Sequence, residues 1–216
     1  MSKRDELYLW HYKALAEKCT ESLRRNRFAA KVFDTVEEAR EYLLEECEKA
    51  ESIGFGGSLT IGALGIFKEL KDSGKVLLNH GLPELTPEER HDIRLKQQTC
   101  DLFLTSTNAV TLDGKLVNID GTGNRVNAMA FGPKKSIVVA GGNKIVKDVE
   151  SGIRRIKDYV APMNAKRLNY STPCAATGIC ADCDSPQRIC NVTTIIEKNP
   201  PSSSIEVVLI CQPLGL

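Results

Sequence analysis

The sequence predicts an α/β fold, a mostly parallel sheet covered by helices, with an N-terminal helical extension. Three observations carry this. From Ser52 onward, short apolar runs with strand character alternate with stretches of helical periodicity. Glycine-rich turns follow Phe55, Ile119 and Ala140, at the ends of three such runs, where open parallel sheets bind ligands. The chain has 216 residues, 42% hydrophobic and 26% charged, which suffices for one sizeable core.

Each element has its own justification. Residues 1–31 read as a helix, because Leu7, Trp10, Tyr12, Leu15, Leu23 and Phe28 recur at roughly helical spacing between charges. Arg24, Arg25, Arg27 and Lys31 close it, either as a solvated end that complements the helix dipole or as a partner surface. Asp34 or Thr35 caps a second helix, Val36–Glu51, with Glu37 and Glu38 in its first turn. Ile53–Phe55 is a short strand that enters Gly56-Gly57-Ser58, and a helix over Thr60–Asp72 follows. Lys75–Asn79 is an apolar strand. Thr86, Pro87 and Glu89 form a capping box with proline at the first helical position, and that helix runs to about Thr99. Asp101–Thr105 is a strand, and a hairpin surrounds Asp113-Gly114. A short helix over Gly123–Phe131, a strand over Lys135–Ala140 and a helix over Lys147–Tyr159 come next. A further helix begins near Pro162, a cysteine-rich loop spans 172–190, and Ile205–Cys211 is the last strand. The helical region before about Ser52 reads as an appendage to the core.

Composition excludes several functions. Twenty-nine basic and 28 acidic residues leave a net charge of +1, unlike the basic excess of a dedicated nucleic-acid binder. The longest uncharged stretch, Ser52–Phe67, has 16 residues and five glycines, short of the ~20 apolar residues of a membrane span. The first 30 residues mix Lys, Arg and Glu without an apolar run, so a secretory signal is not expected and a cytoplasmic location is. In that setting eight cysteines suggest thiols or metal ligands rather than a disulfide framework.

Four segments carry candidate chemistry. In Gly54–Thr60, Gly56 and Gly57 let a ligand approach the backbone, and Ser58 adds a hydroxyl at a helix start, which suits a phosphate, carboxylate or acyl carrier. A tight turn capped by Ser58 is the structural alternative. The segment matches neither a Walker loop nor a dinucleotide fingerprint, so no nucleotide cofactor is expected. In Val117–Arg125, Asp120 and Gly121 end a strand, and Asn124 and Arg125 open a helix. Arg125 could clamp an anion bidentately and Asp120 could serve as acid or base. Alternatively, Asp120 caps the helix and Arg125 forms a surface ion pair. Lys144, after Gly141-Gly142, is a third anion-binding candidate, and His80 also lies at a strand end. Finally, Cys174, Cys180, Cys183 and Cys190 follow a C-x5-C-x2-C-x6-C spacing. Thiolate quartets hold zinc or an iron–sulfur cluster. A reduced loop, or a redox-active pair at Cys180 and Cys183, is the alternative, and Arg188 would lower thiol pKa values in either case.

GFGGSLT, the long stretch from Asp101 to Ile145, APMNAKRL, and the cysteine segment itself resemble the lactate-utilisation (LUD) domain family, in particular a small cysteine-bearing branch of stand-alone proteins. The resemblance covers roughly residues 30–212, so the chain divides into an N-terminal helix over 1–30 and a LUD domain over 31–212. It implies a fold like those of ribose-5-phosphate isomerase, glucosamine-6-phosphate deaminase and the CoA transferases. It also implies a role beside iron–sulfur proteins in oxidising lactate to pyruvate. Gly56, Gly57 and Ser58 match the anion loop, and Asp120, Gly121, Asn124 and Arg125 match the characteristic IDGTGNR stretch.

The expectation is therefore a protein of lactate or related hydroxy-acid oxidation. Gly56, Gly57, Ser58, Gly121, Asn124, Arg125 and Lys144 would hold a small anion, and Asp120 would act as acid–base. Cys174, Cys180, Cys183 and Cys190 would hold a [4Fe-4S] cluster or zinc. Iron–sulfur proteins of a lactate-oxidation complex are the expected partners, and homo-oligomerisation is left open. A non-catalytic binding or scaffold subunit, and an isomerase or acyl-transfer enzyme on a sugar phosphate or CoA ester, are the alternatives.

Overall fold

A computed structural model describes residues 3–216. In chain order the elements are α1 (Lys3–Arg25), β1 (Ala29–Phe33), α2 (Val36–Glu48), β2 (Ser52–Phe55), α3 (Leu59–Ala63), α4 (Ile66–Leu70) and β3 (Val76–Leu78). Then come α5 (Pro87–Lys96), β4 (Leu102–Ser106), β5 (Ala109–Thr111), β6 (Leu116–Asp120), α6 (Asn124–Ala130), β7 (Lys135–Gly141) and β8 (Ile145–Val146). The chain closes with α7 (Val149–Arg155), α8 (Ala161–Arg167), α9 (Pro173–Thr177), β9 (Val192–Ile196) and β10 (Ile205–Ile210).

Six strands form a fully parallel sheet in the order β1-β10-β7-β4-β2-β3. The uninterrupted apolar runs of β7 and β10 follow from burial on both faces. Ile137, Val139, Val208 and Ile210 pack on one side, with Leu43 of α2 and Ile66 of α4. Val138, Ala140, Val207 and Leu209 pack on the other, with Ala16, Cys19 and Leu23 of α1. These last three recur at helical spacing and put one face of α1 into the core.

The predicted helix over residues 1–31 is a correction. It stops at Arg25, Arg27 takes a left-handed φ of 67°, and Ala29–Phe33 becomes an edge strand paired with β10. Helix α1 packs on the main sheet, and the edge strand β1 that follows it joins that sheet. The hairpin of β5 and β6 also leaves the main sheet. With β8 and β9 it makes a second, mixed sheet in the order β8-β5-β6-β9. Val192–Ile196, to which the sequence reading assigns no element, forms β9, which pairs antiparallel to β6. The helix expected over Thr60–Asp72 breaks at Gly65, whose φ of 68° separates α3 from α4.

Both predicted caps form: Thr35 with Glu38 on α2, and Thr86 with Glu89 on α5, where Pro87 takes the first turn. Between α7 and α8 a wider π-helical turn, Ile156–Val160, keeps the helix continuous just ahead of Pro162, which has no N–H to donate. Ile156 and Val160 on that turn pack against Val117 and Ile119 of β6.

Candidate functional site

Three neighbouring strands of the main sheet, β7, β4 and β2, end at one open cleft of about 610 Å³. The chain leaves β2 for β3 on one side, and β4 lies on the other, so the cleft sits at a switch in strand order. Strand β2 delivers Gly56, Gly57 and Ser58; β4 delivers Ser106, Thr107 and Asn108; the turn after β7 delivers Lys144. Strand β6 of the second sheet adds Asp120 and Gly121, and α6 adds Asn124 and Arg125. The structure therefore gathers all eight of these predicted residues around one space.

Their bonding differs sharply. Arg125 spends its guanidinium inside the protein. Its Nη1 donates to Ser106 O at 2.9 Å and Asn118 Oδ1 at 2.7 Å, and its Nη2 donates to Asn108 Oδ1 at 3.0 Å. Its Nε donates to Asp120 Oδ1 at 2.9 Å, and Nη2 donates to the same oxygen. An arginine has five N–H donors, and these five bonds use them all. Asp120 Oδ2 accepts from Val126 N at 3.2 Å, so both carboxylate oxygens are engaged as well. Asp120 is buried and Arg125 is partly buried, at 8% and 13% exposed.

Lys144 is the contrasting case. It is 4% exposed, and no carboxylate meets it. Its Nζ donates to Thr60 Oγ1 at 2.8 Å, Ser106 Oγ at 3.0 Å and Thr107 O at 3.4 Å. Burial, reinforced by the charges of Arg155 and Arg125, pushes the ammonium down to about 7. Ser58 caps α3, its oxygen accepting from Thr60 N at 3.1 Å and Ile61 N at 3.4 Å, while its own O–H remains a donor.

The cleft also holds residues to which the sequence reading gave no firm role: His80, Arg90, Arg94, Thr60, Asn164 and Arg167. The spacing of Arg90 and Arg94, four apart on one helix, was the available signal. Arg90 donates to His80 O at 2.8 Å, Leu85 O at 3.2 Å and Pro83 O at 3.2 Å, and so holds the loop after β3. Gln97 Nε2 donates to Phe55 O at 2.9 Å and Leu78 O at 2.8 Å, and lies 3.1 Å from His80 Nδ1. The two amide hydrogens of Gln97 serve the two carbonyls, and the His80 ring lies beside the same nitrogen. Burial, with the Arg94 and Arg90 charges, lowers the His80 pKa. Among the described residues two buried side-chain atoms have no partner, Arg94 Nε and Gln97 Oε1, both at this corner. Asp120 is the only acidic side chain among the described residues that line the cleft.

Gly57 has a φ of 64°, and a Cβ there would lie 3.2 Å from His80 Nε2. Glycine thus opens the imidazole to the cleft. Gly142 serves packing instead, since a Cβ would lie 2.5 Å from the Tyr12 ring.

Cys174, Cys180, Cys183 and Cys190 line a second, small cavity of about 20 Å³ together with Arg188. All four are free thiols of intermediate exposure, and the other four cysteines are buried. Arg188 donates from Nε to Cys190 O at 3.0 Å and from Nη1 to Cys183 O, and so staples the loop. Burial outweighs the Arg188 charge at Cys190 and raises its thiol pKa, contrary to the expected lowering. Among the described residues, no group of three or more His, Cys, Asp or Glu is arranged to hold a metal ion. The soft donor set and its shared cavity suit a thiolate-held centre; the spacing does not yet close around one. Cys190, Ile189 and Ala161 line both cavities, and Asn191 ties the loop to the cleft, N to Asp120 O at 2.9 Å and Nδ2 to Gly121 O at 3.0 Å.

Comparison with known proteins agrees with this architecture. The family model described as LUD domain matches residues 16–210. The crystal structure of a DUF162 family protein from Deinococcus radiodurans superposes with a TM-score of 0.54 at 13% identity, over 92% of this chain and 98% of that one. No curated protein matches the chain. No helix among the described residues is long and apolar enough to cross a membrane.

Proposed function

This chain belongs to the LUD domain family, and on that premise we propose that it takes part in the oxidation of lactate or a related small 2-hydroxy acid. The observation that carries the proposal is the shared wall: Cys190 borders both the cleft, with its uncompensated Lys144, and the cavity of the four thiols. The Lys144 ammonium, which has no counter-charge, takes the carboxylate by exchanging one of its three bonds to neutral oxygens, with the Ser58 hydroxyl as a further donor. Asp120 acts as a positioning residue, because its oxygens are occupied by Arg125 and Val126 N. Arg125 in turn fixes Ser106 and Asn108, which shape the floor beside Lys144. Oxidation of the hydroxy acid to the 2-oxo acid releases two electrons and two protons. Cys174, Cys180, Cys183 and Cys190 would hold an iron–sulfur centre, or zinc, and an iron–sulfur centre would supply one-electron transfer when bound. Iron–sulfur proteins are the partners this reading requires as final acceptors.

The test is lactate-dependent reduction of an acceptor by anaerobically purified protein, with and without candidate iron–sulfur partners. Turnover that needs the quartet supports the reading; no turnover in any combination rejects it. Absorption in the visible with iron and acid-labile sulfide identifies a cluster, and colourless protein with zinc identifies a structural ion.

The engaged Asp120 also favours a second reading, a binding subunit without chemistry of its own. It predicts that hydroxy acids bind and raise the melting temperature while turnover occurs only on a partner subunit.

A further inference from the structure

A cleft of about 610 Å³ is much larger than a three-carbon acid needs, and its surplus wall is cationic. His80 and Arg94 stand at the Gly57 end of the glycine turn, and Lys144 stands at its Thr60 end. Three backbone steps separate Gly57 from Thr60, a span of at most about 10 Å. Arg125 is neutralised by Asp120, but neither Lys144 nor Arg94 has an acidic partner in the cleft. Arg94 lines the cleft without a carboxylate partner, and His80 Nε2 faces it across Gly57, which has no side chain. A cationic wall without carboxylates of its own marks a place for an acceptor-rich anion.

We propose that the cleft binds a phosphorylated 2-hydroxy or 2-oxo acid, with the carboxylate at Lys144 and the phosphate between His80 and Arg94. The phosphate oxygens accept from the Arg94 guanidinium and from the His80 imidazole. Arg90 keeps the loop of His80 in place through its three carbonyl bonds. This rests on the cleft being the ligand site of the preceding section, and it is independent of whether oxidation occurs there.

The experiment is calorimetric titration of the whole chain with lactate, inorganic phosphate, 3-phosphoglycerate and coenzyme A, with His80 followed by NMR. 3-Phosphoglycerate, a lactate skeleton bearing phosphate on its terminal carbon, is expected to bind at least tenfold tighter than lactate. Inorganic phosphate is expected to compete with it and to raise the His80 pKa, against the lowering by burial, Arg94 and Arg90 in the free protein. Arg94→Gln is expected to cost 3-phosphoglycerate at least tenfold more affinity than it costs lactate. Equal affinity for lactate and 3-phosphoglycerate, or an unmoved His80, overturns the proposal. Preference for coenzyme A over 3-phosphoglycerate overturns the short-acid form of it. If Arg94→Gln fails to fold, the His80 titration in the wild-type chain decides. Tight binding of 3-phosphoglycerate with no lactate turnover leaves this proposal standing and rejects the lactate reading.

Discussion

The Lys144 ammonium lies 2.8 Å from the Thr60 hydroxyl, across 84 positions of sequence, and joins the turn after β7 to the glycine turn after β2. Neither residue has a counter-charge there, so the contact leaves a buried cation facing the cleft. Thr60 Oγ1 in turn donates to Leu214 O at 3.5 Å, which orients its lone pairs toward the lysine.

Carboxylate binding at Lys144 depends on the ammonium form. Affinity for lactate is expected to be flat below about pH 6 and to weaken as pH rises through 7, by up to about tenfold per pH unit. Calorimetry across pH 5.5–9 checks this; affinity unchanged over that range would place the carboxylate elsewhere.

The same residue governs a stability effect. Its pKa is about 7 in the folded protein and 10.5 when unfolded, so the unfolded chain binds the extra proton between those values. Stability from this group therefore rises with pH from about 7 to 10.5, and its burial costs most below 7. Lys144→Met is expected to stabilise the free protein at pH 6 by about 1–3 kcal/mol, or about 2–10 °C in melting temperature. The gap between variant and wild type should narrow by pH 9. The variant should also lose at least about tenfold in lactate affinity.

Removing Arg125 strands a buried carboxylate. Arg125→Ala is expected to cost about 3–5 kcal/mol, since Asp120 would stay buried without its ion-pair partner. Asp120→Asn keeps an acceptor for Arg125 and should cost less, about 1–2 kcal/mol. Urea unfolding measures both. Turnover abolished in a fully stable Asp120→Asn protein would restore Asp120 as the acid–base group.

The eight thiols should separate into two kinetic classes. Burial pushes Cys19 and Cys47 up to about 12 and Cys100 and Cys211 up to about 11, and all four are buried in the folded protein. An aromatic disulfide reagent should modify the four quartet thiols of metal-free protein quickly and the other four only after unfolding. Eight equal rates would contradict the burial.

Loading of the quartet should be felt in the cleft, because Cys190 and Asn191 connect the two. Lactate affinity measured on metal-loaded and metal-free protein is expected to differ by at least about fivefold. Cys190→Ser should remove the difference, and Cys47→Ser, in the core behind the main sheet, should leave it in place.

The main sheet was legible because its central strands are buried on both faces and stand out as apolar runs between glycines and caps. Strands β1 and β9 were not legible. In β1 a lysine interrupts a five-residue edge strand directly after helical residues. Strand β9 is five β-branched residues, a real strand signal, but most of them are exposed and they follow a loop of cysteines. The glycine turn and the stretch from Asp120 to Arg125 were legible because residues with special backbone or charge properties cluster there. His80 was legible only as a histidine at a strand end, and Arg94 was not legible, because α5 meets the glycine turn only after the chain folds.

The sequence by itself determined the alternation of strand and helix, the two capping boxes, the polar segments at strand ends and the spacing of the cysteine quartet. Those are local properties, set by residues within one or two turns of each other. The tertiary structure decided which charges meet a counter-charge and which meet only neutral oxygens. Arg125 and Lys144 look equivalent along the chain, yet one is closed by five internal bonds and the other is left without a counter-charge. Hydrogen-bond partners of buried groups come from whatever the fold brings near, here from strands and turns 84 and 154 residues away.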